Sequence, residues 1–457
     1  FVFFAAAVTH INTNGVTGTG NVQFDIAAVY TETAPAGGFN ITAAGTSTLG
    51  IKFVKSGVGA NPTFTASGSL TSGALTDAIF KLVGADYITL DGLTMQENTG
   101  NTTTTAASNN MTEWGVALLH ASATNGAQNN TIQNCTISLN RTYTNSFGIY
   151  ANNRHSATAV TTTEDISNNT TGPNSNNKVY SNTISNVNMG IAFIGCGGTG
   201  LAANMDLGND IGGSSASQGN TISNWGGAAA ASGYISNSGT SYCIFMNSQV
   251  GENVSYNTIT SATISGTSVT LRGILKDYTG AAATLVGTTS ITNNTVTITD
   301  NFTSGTLECI RTQGTVATTS TCNLNSNTIL NTSMGGASSS TSIVGIVNSS
   351  AWGTLNMNSN IIQGTTSTAT SGGFTGVSNT GSVVTTINMN SNQIGNASGN
   401  AITFSAATSG AVLGVNCSGG ASTCSTSIQN NDVRGIVHTV TGSGGVTPIL
   451  ASGTPLN

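Results

Sequence analysis

The chain has 457 residues and a formal net charge of −6, and only 6% of it is charged, against about 25% in an ordinary soluble domain. Its polar part is mostly Thr, Ser, Asn and Gly; 37% is hydrophobic, and Pro occurs five times. This balance excludes a charge-rich disordered chain and a nucleic-acid binder, which needs a basic stripe. It suits short strands and tight turns, with few Pro to interrupt a ladder.

In chain order, the first element is Phe1 to Val8, the longest apolar run near the start. It is too short to span a bilayer. It lacks Met and a basic flank, and so reads as the first element of a mature or trimmed chain rather than a signal peptide. Phe4, Val8 and Ile11 recur at helical spacing and Asn14-Gly15 stops the pattern, so 1–13 is predicted to be an amphipathic helix capping the repeats. Val22-Gln23-Phe24-Asp25-Ile26 and Phe39-Asn40-Ile41-Thr42 read as strands. Residues 1–80 are taken as an N-terminal cap with entry coils, 81–440 as the repeats, and 441–457 as the end of the stack.

From Leu93-Thr94-Met95 and Cys135-Thr136-Ile137 onward, one phrase recurs at intervals of 32 to 47 residues. It is Asn, usually Thr, then a β-branched apolar residue. Its Asn positions are Asn182, Asn220, Asn257, Asn294, Asn327, Asn360, Asn392 and Asn431. A second phrase alternates with it, a small residue before an apolar one: Gly115-Val116, Gly148-Ile149, Gly190-Ile191, Cys243-Ile244, Gly273-Ile274, Cys309-Ile310, Gly345-Ile346, Gly376-Val377 and Gly414-Val415. Each repeat therefore holds at least two short strands. A period in the thirties with variable insertions marks a solenoid. In Lys178-Val179-Tyr180-Ser181-Asn182-Thr183-Ile184, Val179 and Ile184 are an odd distance apart. They cannot share a face of one strand, so a corner lies between them at Ser181-Asn182, where Asn tolerates a left-handed backbone. The fold predicted is all-β: a right-handed parallel β-helix of about ten coils, with handedness set by the rule for parallel crossovers. The recurring Asn side chains are predicted to bond one another coil to coil, at ~4.8 Å per step.

Several residues are candidates for chemistry. Arg141, Arg154, His155, Glu164, Asp165 and Lys178 flank or occupy the long loop 152–177. They would grip an acidic sugar or supply a base; alternatively they are salt-bridged residues pinning the loop. Asn204, Asp206, Asn209 and Asp210 offer hard oxygens to Ca²⁺, without the regular spacing of a calcium loop, so a polar turn is the competing reading. Tyr143, Tyr150, Trp114, Trp225, Trp352 and Tyr242 form a sugar-stacking platform if they share an exposed face, and otherwise cover the core. His10, His120 and His438 are assigned structural places. Cys417 with Cys424, and Cys309 with Cys322, bracket loops that disulfides would close in an oxidising compartment. No cysteine pair has zinc spacing.

Tyr87-Ile88-Thr89-Leu90-Asp91-Gly92-Leu93-Thr94-Met95, Asn130-Thr131-Ile132-Gln133-Asn134-Cys135-Thr136-Ile137 and the stretch Asn177 to Ile184 resemble the parallel β-helix repeat proteins secreted by Bacteroidota. Ala5 to Asn12 and Tyr30-Thr31-Glu32-Thr33 look like their N-terminal cap. The resemblance implies a pectin-lyase-like β-helix, export, and a place in a surface or adhesin-like protein. The catalytic phrases of polygalacturonase-like enzymes, an Asp-Asp pair, Gly-His-Gly or Arg-x-Lys, are missing from the sequence. Three functions are compatible with these residues, in descending order. The first is a non-catalytic extracellular structural or adhesive protein, self-associating into a filament or sheath or meeting other surface proteins. The second is a polysaccharide lyase or glycoside hydrolase on the 141–178 cluster, and the third is a carbohydrate-binding module. No cofactor is called for beyond the Ca²⁺ candidate at Asp206 and Asp210.

Overall fold

The computed structural model describes residues 1–71, 76–105, 108–156, 172–196, 205–227, 240–266, 269–278, 286–336, 340–396 and 398–452. They form two compact units: Phe1–Ser238 with Met246–Gln249, and Gly239–Phe245 with Val250–Asn457. Both are parallel β-solenoids, built on three sheets rather than the minimum of two.

In the first unit, the first sheet contains Val22–Ala27, Ile51–Ser56, Ile88–Asp91, Thr131–Gln133, Lys178–Tyr180 and Asp210–Ile211. The second sheet runs from Thr31–Thr33 and Thr63–Thr65 through Thr94–Gln96, Thr136–Ser138 and Thr183–Ser185 to Thr221–Trp225. The third contains Phe39–Ile41, Ala78–Val83, Trp114–His120, Phe147–Ser156 and Met189–Ile194. The recurring phrase is the second sheet: Met95, Ile137, Ile184 and Ile222 fall in register. The entry region belongs to the same stack, since Phe24 pairs with Phe53 and Phe53 with Leu90. Phrase counting therefore missed coils whose second-sheet strands, Thr31–Thr33 and Thr63–Thr65, carry no Asn-Thr phrase.

The helix spans Phe4–Asn14 and buries Phe4, Ala7, Val8 and Ile11. Gly15 ends it at φ 62, with its N–H on the Ile11 carbonyl. At the other terminus, the Glu32 carboxylate accepts the N–H groups of Phe4 (2.6 Å) and Ala5 (3.2 Å), placing negative charge where the helix dipole favours it. Phe4 plugs the first coils, with its ring 4.8 Å from Phe64 and 5.0 Å from Phe39. This covers apolar surface and strand edges that would otherwise stay open.

The second unit repeats the plan. Its second sheet sets Ile259, Val296, Ile329, Ile362, Ile394 and Val433 in one row. Its third sheet aligns Ile274, Ile310, Ile346, Val377 and Val415. The small residue before each apolar one has a steric cause. A Cβ on Gly376 would stand 2.6 Å from the Gly414 carbonyl oxygen and 2.9 Å from Ile394 Cγ1. Replacing Gly376 with alanine should cost about 1–3 kcal/mol through overpacking, read as a lower thermal midpoint. An unchanged midpoint would show that the coils have slack there.

The predicted asparagine ladder is present. In the second unit Asn257, Asn294, Asn327, Asn360 and Asn392 each donate from Nδ2 to the Oδ1 of the next, at 3.0, 3.0, 3.3, 3.0 and 2.9 Å. The backbone N–H of each donates to the same oxygen. The second Nδ2 proton of Asn294, Asn327, Asn360, Asn392 and Asn431 goes to a carbonyl of the preceding coil, as from Asn327 to Ile291 at 2.8 Å. In the first unit Asn182 donates to Asn220, and the Cys135 N–H donates to Asn182. One point is corrected. The left-handed residue is not Asn but its predecessor: Ser181, Tyr256, Asn293, Ser326, Ser359, Ser391 and Asn430 have φ between 54° and 61°. That conformation turns the corner, and the Asn side chain is buried against the turn. A second ladder went unpredicted: Asn130 donates to Asn177 (3.1 Å), the Asn177 N–H to Asn209 (2.8 Å), and Asn209 to Gln249 (2.7 Å).

The disulfide expectations are corrected as well. Cys417, Cys424, Cys309 and Cys322 are free, buried thiols. Cys309 lies in a third-sheet strand and Cys322 in a first-sheet strand, where each fills core rather than closing a loop. Cys417 and Cys424 turn their sulfurs to the carbonyls of Gly419 and Ser425.

Candidate functional site

The third sheet carries most of the unusual chemistry. Strands of the first and second sheets typically bury only alternate residues, as in Thr131–Gln133 and Thr183–Ser185. In the first unit Ala78–Val83, Trp114–His120 and Met189–Ile194 are buried throughout, so the outer face of this sheet is covered too. Trp114 and Tyr150 lie parallel on it, centroids 4.9 Å apart at 2°, with His155 edge-on to Trp114 at 5.2 Å. All three are fully buried. Tyr143, Trp225, Tyr242 and Trp352 are at most 1% exposed. These aromatics pack the interior and present no stacking platform.

Five groups gather where third-sheet strands begin in the first unit. Glu113 accepts the Tyr143 hydroxyl (2.8 Å) and the Asp77 N–H (2.8 Å). Asp77 accepts the Thr71 N–H (2.8 Å), and Glu97 accepts the Thr112 hydroxyl and the Asn101 amide. Lys81 is 2% exposed and Asp77 and Glu113 are fully buried. Burial pushes the Asp77 carboxyl up to about 6 and Glu113 well above the usual carboxylate range. It also pulls the Lys81 ammonium down, against the pull of Asp77 and Glu113. Desolvation disfavours each charged form. The cluster has the residue types of acid–base catalysis, but Asp77, Lys81, Glu113 and Tyr143 are buried and only Glu97 is partly exposed.

The loop residues singled out in the sequence do not converge. Arg141 Nη1 donates to the Gly226 carbonyl at 2.9 Å, tying one corner to another. His155 lies under Trp114, and Lys178 is an exposed first-sheet residue. Arg154 is in the strand Phe147–Ser156, while Glu164 and Asp165 lie outside the described residues. For Ca²⁺, Asp206 already accepts Asn153 Nδ2 (3.0 Å), the Asn174 N–H (2.8 Å) and Gln249 Nε2 (2.8 Å). Asp210 accepts the Tyr180 hydroxyl and the Gly213 N–H, and Asn209 belongs to the second ladder. A cation would have to displace these protein donors. Asn204 lies outside the described residues. His438 stacks on Phe404 at 4.7 Å, His10 is 3.2 Å from the Asn14 amide, and His120 is buried.

Sequence reasoning missed a cluster in the second unit. Glu308 binds Arg272 Nε and Arg311 Nη1, both at 2.5 Å. The Arg272 guanidinium lies 5.9 Å from the Tyr242 ring centroid. Arg311 Nε donates to Gln313, and Gln313 to Asp277 (2.8 Å). These side chains keep partial exposure, 13% for Arg272 and 23% for Arg311. The signal was in the second phrase: Arg272 precedes Gly273-Ile274 as Glu308 precedes Cys309-Ile310, and equal offsets in a solenoid become neighbours on adjacent coils, as the register shows. No family model and no curated protein matches the chain. Among the described residues, no helix is long and apolar enough to cross a membrane.

Proposed function

We propose that this protein is an exported, non-catalytic structural or adhesive element of a cell surface, whose task is mechanical. One observation carries the reading: most of the described carboxylates are spent holding the chain to itself. Glu32 holds the cap helix, Glu97 and Glu113 join loops to third-sheet strands, and Asp91 accepts Gln133 and Asn134 of the next coil. Asp206, Asp210 and Glu308 likewise bind residues of other coils. A catalytic pair would need two such groups open to substrate. Parallel ladders and two Asn ladders resist unzipping, and the low-charge Thr/Ser/Asn surface suits an extracellular setting. Assembly of copies into a filament or sheath is the extended form of the same reading, seen or refuted by electron microscopy of the native protein.

A second reading rests on the Arg272–Glu308–Arg311 strip, where charged groups stand within reach of one another on neighbouring coils, as an acidic-glycan enzyme or binding site would require. Incubation with neutral and acidic polysaccharides separates the two. Release of no reducing ends and no unsaturated uronates is expected. Turnover that disappears in Glu308→Gln would replace the mechanical reading with the enzymatic one.

A further inference from the structure

Lys276 is the second-last residue of the third-sheet strand Val269–Asp277, and Glu252 stands just before the first-sheet strand Asn253–Ser255 of the same coil. Their side chains meet inside the second unit: Lys276 Nζ is 2.8 Å from Glu252 Oε1, with side-chain exposures of 0% and 1%. That contact puts the nitrogen within about 4 Å of the carboxyl carbon, given the length of a C–O bond. Thr289 Oγ1 donates to Oε1 at 2.9 Å, and the Tyr278 ring closes over the nitrogen at 4.0 Å. Oε2 is buried and has no hydrogen-bond partner. Two charges buried from solvent and an unpartnered carboxylate oxygen form an expensive arrangement. A covalent bond removes each of its defects.

We propose that Lys276 and Glu252 condense to an intramolecular amide. A proton passes from the ammonium to the carboxylate, giving an amine and a carboxylic acid. Nζ then attacks Cδ, the C–Oε2 bond breaks, and Oε2 departs as water with the transferred proton and one from the nitrogen. Oε1 stays as the amide oxygen and keeps the Thr289 hydrogen bond. The oxygen that leaves is the one with no partner. No oxidant or cofactor enters the balance. Burial, which already draws the Lys276 ammonium below its ordinary range, supplies the neutral nucleophile, and holding the two groups together replaces a bimolecular encounter. The product closes one full turn of the solenoid, from its first-sheet to its third-sheet strand, into a ring that cannot unwind.

Intact mass spectrometry of the full 457-residue chain, denatured and reduced, tests this directly, whatever the surface of the protein binds. The expected mass is lighter than the sequence by one water, and a protease digest should yield a branched peptide joining the segments around Lys276 and Glu252. Lys276→Met and Glu252→Leu should each restore the full sequence mass, folded or not. A parent chain of full sequence mass, in material shown to be folded by circular dichroism, would overturn the proposal. A mass deficit that persists in Lys276→Met would place the lost water elsewhere and overturn it equally.

Discussion

Replacing Asn327 with leucine is expected to destabilise the second unit by about 3–5 kcal/mol, since several buried groups lose partners at once and each costs about 1–3 kcal/mol. Asn327 Oδ1 accepts from both the backbone N–H and Nδ2 of Asn294. Its own Nδ2 donates to Asn360 Oδ1 and the Ile291 carbonyl. All of these lie in a fully buried row, so water cannot replace the lost bonds. Leucine has similar volume, so the loss is one of polarity rather than packing. In a solenoid each coil touches only its neighbours, so the lesion should open locally. Hydrogen exchange should speed up first at Asn294 and at the second-sheet strands Thr295–Phe302 and Thr328–Leu330. Asn431, at the partly exposed end of the row, should tolerate alanine at about 1 kcal/mol. Equal costs at Asn327 and Asn431 would mean that the ladder is decoration on strands that hold by themselves.

Asp300 is the second large effect. It lies in the strand Thr295–Phe302, paired with Ile264 on one side and Met334 on the other. Its residue is fully buried, and Oδ2 has no hydrogen-bond partner. Desolvation raises its pKa from 3.8 to about 7, partly offset by the Phe302 N–H on Oδ1. The folded state therefore keeps a proton that the unfolded chain releases. Stability from this group is complete below about pH 4 and falls as pH rises toward 7, because there the folded state binds more protons than the unfolded one. At about 1.4 kcal/mol per unit, the loss approaches roughly 4 kcal/mol. Asp300→Asn should match the parent near pH 4 and exceed it above pH 7, with a flatter stability profile between. Asp77, raised to about 6, adds a smaller fall of the same sign in the first unit. A parent profile that rises between pH 4 and 7 by the same amount in both proteins would show that Asp300 ionises freely.

The repeat, and the row it builds, are written in the residues themselves. Asn-Thr-Ile spacing placed a corner between Val179 and Ile184, and a corner followed by a parallel strand leaves the Asn of each coil beside the next. The row from Asn182 to Asn220 in the first unit and the row from Asn257 to Asn431 in the second were legible for that reason. The second ladder went unread although Asn130-Thr131-Ile132, Asn177-Lys178-Val179 and Asn209-Asp210-Ile211 carry the same Asn-x-apolar form, because it runs over few coils and passes to Gln249. Nor was the third sheet seen as a place where charge collects. Glu308 and Arg272 are 36 residues apart, and their contact exists only once the coils are laid in register. Which polar groups are buried was settled by tertiary packing alone. Nothing in the sequence singles out Lys276 or Glu252, yet their side chains meet buried from solvent. For Trp114 and Tyr150 the sequence left a surface platform and a place in the core both open, and burial decides for the core. Periodicity is a local property that each repeat writes into its own residues. Burial depends on what loops from other coils lay over a face, and their lengths follow no period.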